Sequence, residues 1–147
     1  MNDLRDLYQE VVFDHYKKPR NFHRLTNANR EAMGDNPLCG DRLAVYLNVE
    51  NGVIREVSFE GSGCAISTAS ASLMTEALKG KTEAEAVQLI EGFHAALTRS
   101  EAPQDNLGKL RVLSGVREFP ARVKCATLAW HTLNSALKNL KETVTTE

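Results

Sequence analysis

The sequence predicts a fold that combines helices and strands, in which a β-hairpin is covered by several α-helices. Residues 42–50 alternate between apolar and other side chains, as a half-buried strand does. Asn51-Gly52 follows, a dipeptide that is typical of two-residue hairpin turns. Segments on both sides carry apolar residues at helical spacing. Because two strands alone are only marginally stable, helices must cover one face of the hairpin.

The segment before the hairpin begins with a helix. Its apolar residues recur at helical spacing, and Pro19 ends the pattern. His15 lies on the apolar face of this helix, where core packing or an interface contact is more common than metal ligation. Residues 20–40 are rich in Asn, Arg, Gly and Pro and predict a loop. A short extended piece near residues 31–34 is a candidate third strand.

The hairpin itself is predicted to span about residues 42–60. Its return strand, residues 53–60, alternates imperfectly, which predicts a β-bulge. A helix over residues 65–79 follows, and Gly80 is a suitable stop.

The second half of the chain predicts three more helices. Thr82 and Glu85 form a capping-box pattern that opens a helix to about residue 100. Residues 101–106 predict a Pro-containing linker, and residues 107–116 a short helix. Pro120 suits the first position of the last helix, which is predicted over residues 121–141.

Length and composition indicate a single globular domain over residues 1–147. The net charge of −1 lacks the basic excess typical of proteins that bind nucleic acids or membrane surfaces. No apolar run approaches the ~18–20 residues of a membrane span, and the N-terminus has no signal-peptide pattern. We therefore expect a cytoplasmic protein with neither nucleic acid nor membrane as a partner.

Three cysteines and one aspartate are the candidate functional residues: Cys39, Asp41, Cys64 and Cys125. Three cysteines cannot all pair within the chain, and cytosolic thiols stay reduced, so metal binding or catalysis is favoured over disulfides. Any one of them taken alone could be a small buried apolar residue. Together they form a set that suits tetrahedral zinc, and their thiolates also suit iron–sulfur chemistry.

The predicted elements bring these four residues within reach of one another. Cys39 and Asp41 flank the start of the first hairpin strand, and Cys64 follows the second, so all three can cluster at one end of the hairpin. Cys125 lies near the predicted start of the last helix. The positive end of that helix and the neighbouring Lys124 are expected to lower the pKa of Cys125.

Four ordered motifs resemble the U-type iron–sulfur cluster assembly family, the IscU and SufU proteins, over most of residues 5–140. The motifs are a DHYxxPRN-like segment at residues 12–21, NPxCGD at residues 36–41, GxGCAIS at residues 61–67, and the third cysteine at Cys125. Three departures from the IscU type resemble the SufU type instead. Lys124 replaces a histidine, residues 118–124 lack the chaperone-recognition segment, and Cys64 and Cys125 are 61 positions apart.

The resemblance implies an α+β fold, with a small antiparallel sheet packed against several helices and an exposed metal site. It implies zinc bound by Cys39, Asp41, Cys64 and Cys125. It also implies sulfur transfer from a SufS-type pyridoxal-phosphate cysteine desulfurase, and delivery to downstream iron–sulfur assembly proteins. In the family mechanism a desulfurase histidine displaces the first cysteine. Cys39 is therefore the expected sulfur acceptor, and Cys125 is the second candidate.

Three functional hypotheses remain open from the sequence. The first is zinc-dependent sulfur transfer, in which the chain is a sulfurtransferase-type acceptor for a persulfide. The second is a scaffold that holds a transient [2Fe–2S] cluster on the same ligands. The third is a structural zinc module, which the Asp41 ligand disfavours because structural sites usually use Cys and His. Arg122 and Lys124 flank Cys125, and a role in supporting the site or the partner is weighed equally with a solvated helix start.

Overall fold

The computed structural model describes residues 3–37, 39–99, 107–139 and 143–145. These residues form four α-helices, one 3₁₀ helix and four β-strands. The helices are α1 (Asp3–Lys17), α2 (Ala65–Leu78), α3 (Glu83–Thr98), the 3₁₀ helix (Gly108–Glu118) and α4 (Pro120–Leu137). The strands are β1 (Arg30–Asn36), β2 (Asp41–Glu50), β3 (Val53–Ser62) and β4 (Val144–Thr145). The predicted α+β class is thereby confirmed.

The four strands form one sheet in the order β3-β2-β1-β4. The pairs β1–β2 and β2–β3 are antiparallel, whereas β4 runs parallel to β1. The extended piece predicted near residues 31–34 is the seven-residue strand β1. Nothing in the local sequence pattern predicts β4, because a parallel pairing across more than a hundred residues leaves no turn signal.

The predicted hairpin is confirmed, and each of its strands is slightly longer than expected. Asn51 and Gly52 have φ angles of 53° and 76°, the left-handed conformation that a type I′ turn requires at both central positions. Asn48 pairs with Glu56 and Val49 with Ile54, which leaves Arg55 as an extra residue in β3. The bulge predicted in the return strand is therefore present.

Helices α2 and α4 pack against the sheet and enclose the hydrophobic core. Strand β2 is buried on both faces: Val45 and Leu47 face the helices, while Ala44 and Tyr46 form a second small cluster with Leu25 from the loop after α1. Packing on both faces holds β2 in place, and Asp41 is the first residue of this strand.

Two polar contacts tie α2 to α4 inside the core. The hydroxyl of the fully buried Ser70 donates to the Ala126 carbonyl at 2.5 Å and accepts from the Trp130 indole N–H at 3.0 Å. The Trp130 ring also stacks on Phe93, with ring centroids 4.4 Å apart. The Ser70 contacts fix the position of α2, which follows Cys64, relative to α4, which carries Cys125.

The predicted helix boundaries hold in most places. Thr82 and Glu85 form the expected capping box, with Thr82 N–H donating to Glu85 Oε1 at 2.9 Å and Glu85 N–H donating to Thr82 Oγ1 at 3.1 Å. Pro120 is the first residue of α4. The short helix predicted over residues 107–116 is a 3₁₀ helix, and the predicted linker at residues 101–106 lies outside the described residues.

His15 belongs to the core, as the sequence predicted. It is fully buried, its Nδ1 lies 2.7 Å from Ser72 Oγ, and its Nε2 lies 3.6 Å from Glu76 Oε1. Burial lowers the pKa of His15, and the nearby Arg20 and Lys109 act in the same direction. Within the part of the chain that the structure describes, no helix combines the length and apolar character needed to cross a bilayer.

Candidate metal centre

The four candidate ligands meet at one end of the sheet. Asn36, the last residue of β1, pairs with Asp41, the first of β2, and the turn between them carries Cys39. Within this turn the Cys39 N–H donates to the Asn36 carbonyl at 3.2 Å. Cys64 lies just beyond β3 and is the N-cap of α2. Cys125 reaches the same place from the first third of α4.

The side chains of these residues contact one another directly. The Cys125 thiol donates to Cys39 Sγ at 3.1 Å, and the Cys64 thiol donates to Asp41 Oδ2 at 3.8 Å. The donor atoms of Cys39, Asp41 and Cys125 all lie within 4.8 Å of one another. The hairpin was expected to gather Cys39, Asp41 and Cys64, with Cys125 joining them from the last helix. The structure groups Cys39, Asp41 and Cys125, whereas Cys64 lies at the edge of this group, where its sulfur contacts Asp41 Oδ2.

Asp41 is held in place by the start of α2. Its Oδ1 accepts from the Cys64 backbone N–H at 2.7 Å, which leaves Oδ2 turned toward the Cys64 sulfur. The Gly63 backbone comes so close that a Cβ at this position would lie 2.5 Å from Asp41 Oδ1. A glycine is therefore needed before Cys64, because any side chain there would displace the Asp41 carboxylate.

Burial differs sharply between the neighbouring sulfurs of Cys39 and Cys125. Asp41 and Cys125 are 0% and 4% exposed, Cys64 is half-buried, and Cys39 is exposed on the turn. Burial raises the pKa of the Cys125 thiol, and Cys39, Cys64 and Asp41 act in the same direction. Cys39 is thus the accessible sulfur of the pair, and Cys125 the enclosed one.

The predicted lowering of the pKa of Cys125 is wrong. Because α4 begins at Pro120, Cys125 is its sixth residue, and the positive end of a helix acts only over the first turn. Cys64 instead caps α2, and its sulfur accepts the Ser67 backbone N–H at 3.4 Å. Lys124 does not reverse the effect of burial on Cys125, whose pKa is raised.

The donor set suits a zinc ion. Tetrahedral zinc with bonds of about 2.3 Å to sulfur and about 2.0–2.2 Å to oxygen places its ligands roughly 3.4–3.8 Å apart. The 3.8 Å separation of Cys64 Sγ and Asp41 Oδ2 lies at the upper end of this range. The 3.1 Å separation of Cys125 and Cys39 Sγ is about 0.7 Å shorter than the roughly 3.8 Å between two zinc-bound sulfurs, so these sulfurs would have to move apart to bind the ion. A buried carboxylate beside three thiols calls for a cation. The same thiols also suit an iron–sulfur cluster.

The two flanking basic residues lie on different sides of Cys125. Arg122 is exposed, and its guanidinium lies over the Phe119 ring, 4.7 Å from the centroid. Lys124 is half-buried and lines a groove of about 580 Å³ that also includes His94 and His131.

Sequence reasoning missed two residues at the centre. The Asn36 amide nitrogen lies 4.0 Å from Cys125 Sγ, although Asn36 had been noted only as part of a motif. Tyr8 of α1 is half-buried, and both Arg122 and Cys64 affect its pKa. Burial raises the pKa of Tyr8, Arg122 lowers it and Cys64 raises it. Only the position of Asn36 inside a motif could have drawn attention to it.

Comparison with known proteins places the chain among iron–sulfur assembly proteins. Residues 7–146 match the NifU-like N-terminal domain family. The chain is 40% identical over 136 residues to the zinc-dependent sulfurtransferase SufU of Bacillus subtilis, covering 92% of each chain. It is also 40% identical over 139 residues to the iron–sulfur cluster assembly scaffold protein IscU of Streptococcus pyogenes, covering 94% of this chain and 87% of the relative.

A solved structure shares the fold. It is a proposed iron–sulfur cluster assembly scaffold protein for the SUF system from Fervidobacterium islandicum. It superposes with a TM-score of 0.84 at 34% sequence identity and covers 90% of this chain and 98% of that one.

Proposed function

Because the chain belongs to the NifU-like N-terminal domain family, together with SufU and IscU, we propose that it acts in iron–sulfur cluster assembly as a zinc-dependent sulfur acceptor. The observation that carries this proposal is the cluster of Cys39, Asp41 and Cys125 donor atoms within 4.8 Å of one another, with one of the sulfurs exposed. The SufU relative, which is named a zinc-dependent sulfurtransferase, supports the same choice of metal and activity.

Cys39, Asp41, Cys64 and Cys125 are the residues that would hold the metal. When bound, zinc would keep the three sulfurs as thiolates at neutral pH. The chain itself supplies the geometry: Asp41 is fixed by the Cys64 backbone N–H, and Cys125 is enclosed on α4. Of the three cysteines, only Cys39 is exposed, on the turn between β1 and β2.

We propose Cys39 as the sulfur acceptor, and its exposure supports this choice. A persulfide on a partner protein can reach Cys39, whereas Cys125 is only 4% exposed. In the transfer, the Cys39 thiolate forms a bond to the outer sulfur of the persulfide. The sulfur–sulfur bond of the partner breaks, and the partner cysteine leaves as a thiolate. The product is a persulfide on Cys39, ready for downstream iron–sulfur assembly proteins.

The sulfur donor we propose is a SufS-type pyridoxal-phosphate cysteine desulfurase. We place the activity in the cytoplasm, where the three free thiols of the chain would stay reduced. Arg122 is exposed at the start of α4, three residues before Cys125, and we propose that it contacts the desulfurase. Lys124, directly before Cys125, lines the groove with His94 and His131 and is proposed to support the site.

Alanine release by such a desulfurase tests the proposal. We expect the zinc-loaded protein to accelerate turnover, and the chelator-stripped protein to have little effect. Cys39→Ser should abolish the acceleration. Arg55→Ala changes the exposed bulge at the far end of the hairpin and serves as the control with unchanged stimulation. No response to the zinc form, or full stimulation by Asp41→Ala, would contradict the proposal.

The scaffold hypothesis is the second candidate, because the IscU relative is as similar in sequence as the SufU relative. Its test is anaerobic incubation of the stripped protein with ferrous iron and sulfide. A brown protein with acid-labile sulfide, combined with no effect of the zinc form on desulfurase turnover, would favour the scaffold. A colourless protein would count against it.

A further inference from the structure

Asn36 connects three of the four candidate ligands. Its backbone carbonyl accepts from the Cys39 N–H at 3.2 Å, and its strand position pairs with Asp41. Its side-chain Nδ2 lies 4.0 Å from Cys125 Sγ, at the outer limit of an N–H···S contact. Asn36 is therefore placed to influence the two sulfurs differently.

The Asn36 side chain is buried, but its hydrogen-bonding capacity is only partly used. The residue is 1% exposed, and its Oδ1 has no hydrogen-bond partner among the described residues. A buried polar atom without a partner costs stability, which an apolar side chain of similar size would avoid. The orientation is also informative, because a thiolate accepts hydrogen bonds and cannot donate them. With Nδ2 toward Cys125, the amide offers a donor to the enclosed sulfur.

We propose that Asn36 is a positioning residue that lowers the reactivity of Cys125 and so adds to the difference in exposure between the two adjacent sulfurs. Its N–H donates to the Cys125 thiolate and withdraws electron density from that sulfur. Cys39 Sγ lies 3.1 Å from Cys125 Sγ, and no amide side chain among the described residues donates to it. Cys125 is thereby made the weaker nucleophile, and Cys39 remains the reactive one. The assignment of Cys39 to sulfur acceptance rests on the proposed function, but the difference between the two thiolates does not.

Cobalt substitution tests the hydrogen bond directly. Co²⁺ bound by thiolates absorbs through sulfur-to-metal charge transfer, whose energy falls when a hydrogen bond to the sulfur is lost. We expect Asn36→Ala and Asn36→Ser to bind Co²⁺ and to shift this band to longer wavelength. Asn48→Ala is the matched control: Asn48 is also buried, its Oδ1 also lacks a partner among the described residues, and its Nδ2 donates to the Asn27 carbonyl at 2.8 Å. Asn48→Ala should leave the band unchanged.

Alkylation of the zinc-loaded protein tests the chemical consequence. Limiting iodoacetamide followed by peptide mass spectrometry gives the rate at each cysteine. In the unchanged protein Cys39 should react fastest. In Asn36→Ala the rate at Cys125 should rise roughly 3- to 10-fold, since a hydrogen bond to a charged group is lost and thiolate reactivity follows with a Brønsted coefficient of about 0.4–0.5.

Three results would overturn the inference. The first is an unchanged charge-transfer band together with an unchanged alkylation pattern in both Asn36 variants. The second is an equal band shift in Asn48→Ala. The third is failure of both Asn36 variants to fold, which would assign Asn36 a structural role. Since neither readout uses a desulfurase, the inference can fail while zinc-dependent alanine release persists, and the reverse outcome is equally visible.

Discussion

Replacing Ser70 with alanine should loosen the contact between α2 and α4. The Ser70 hydroxyl donates to the Ala126 carbonyl and accepts from the Trp130 indole N–H, and all three residues are buried. Ser70→Ala removes both hydrogen bonds. The Ala126 carbonyl retains its place in the helix, but the indole N–H is left without a partner in the core.

The cost follows from these two losses. A hydrogen bond contributes about 0.5–1.5 kcal/mol net, and an unsatisfied buried donor costs about 1–3 kcal/mol. We expect the free energy of unfolding to fall by about 2–3 kcal/mol. For a chain of this size that corresponds to a decrease of about 4–12 °C in Tm. Because α2 and α4 position Cys64 and Cys125, zinc binding should weaken as well.

Urea unfolding of the metal-free protein measures the stability term, with Trp130 as the fluorophore, since the chain has one tryptophan. Ser58→Ala is the matched control. Ser58 is also fully buried, but its Oγ has no partner among the described residues. Removing that hydroxyl should leave stability unchanged or raise it by up to about 1 kcal/mol.

A double-mutant cycle isolates the hydrogen bond to the indole. In a Trp130→Phe background, followed by circular dichroism, Ser70→Ala should cost clearly less than in the unchanged protein. An equal cost in both backgrounds would refute the role assigned to the indole contact. Equal losses in Ser70→Ala and Ser58→Ala would refute the reasoning altogether.

Three further predictions concern the site, the pH dependence and a helix end. Gly63→Ala should weaken zinc binding roughly 10- to 100-fold in chelator competition, because the new Cβ would displace the Asp41 carboxylate. The lowered pKa of buried His15 means that the unfolded chain binds its proton more tightly. Stability should therefore decline as pH falls below about 7, by at most about 1.4 kcal/mol per pH unit, and His15→Gln should reduce that slope in unfolding measured from pH 7 to 5. Thr82→Ala should cost about 0.5–2 kcal/mol in urea unfolding, since it removes the N-cap of α3.

Each of these predictions has a control or a contradicting outcome. Gly92→Ala places a Cβ in ordinary contact with Leu107, 3.6 Å away, and should leave zinc binding unchanged. His131 also has a lowered pKa, through burial and His94, so part of the pH slope should survive in His15→Gln. An unaltered slope in that variant, or a Thr82→Ala protein as stable as the original, would contradict the corresponding argument.

Local chemistry explains the parts of the fold that the sequence predicted. The turn at Asn51-Gly52, the bulge in the return strand, the capping box at Thr82 and the start of α4 at Pro120 were all predicted correctly. Each of these features depends on residues within a few positions of one another. The backbone preferences of those residues act independently of the rest of the fold. The contact between Asp41 and Cys64 followed for the same reason, since a hairpin brings its own ends together.

The sequence by itself determined the set of sulfur and carboxylate groups, and the hairpin that gathers three of them. Only the tertiary structure decided how those groups differ. It placed α4 so that Cys125 is enclosed and lies beyond the first helical turn, made Cys64 the N-cap of α2, left Cys39 exposed, and brought the Asn36 amide to Cys125. Burial and long-range contact depend on packing between segments far apart in the chain. Burial and long-range contact therefore cannot be predicted from a pattern of neighbouring residues.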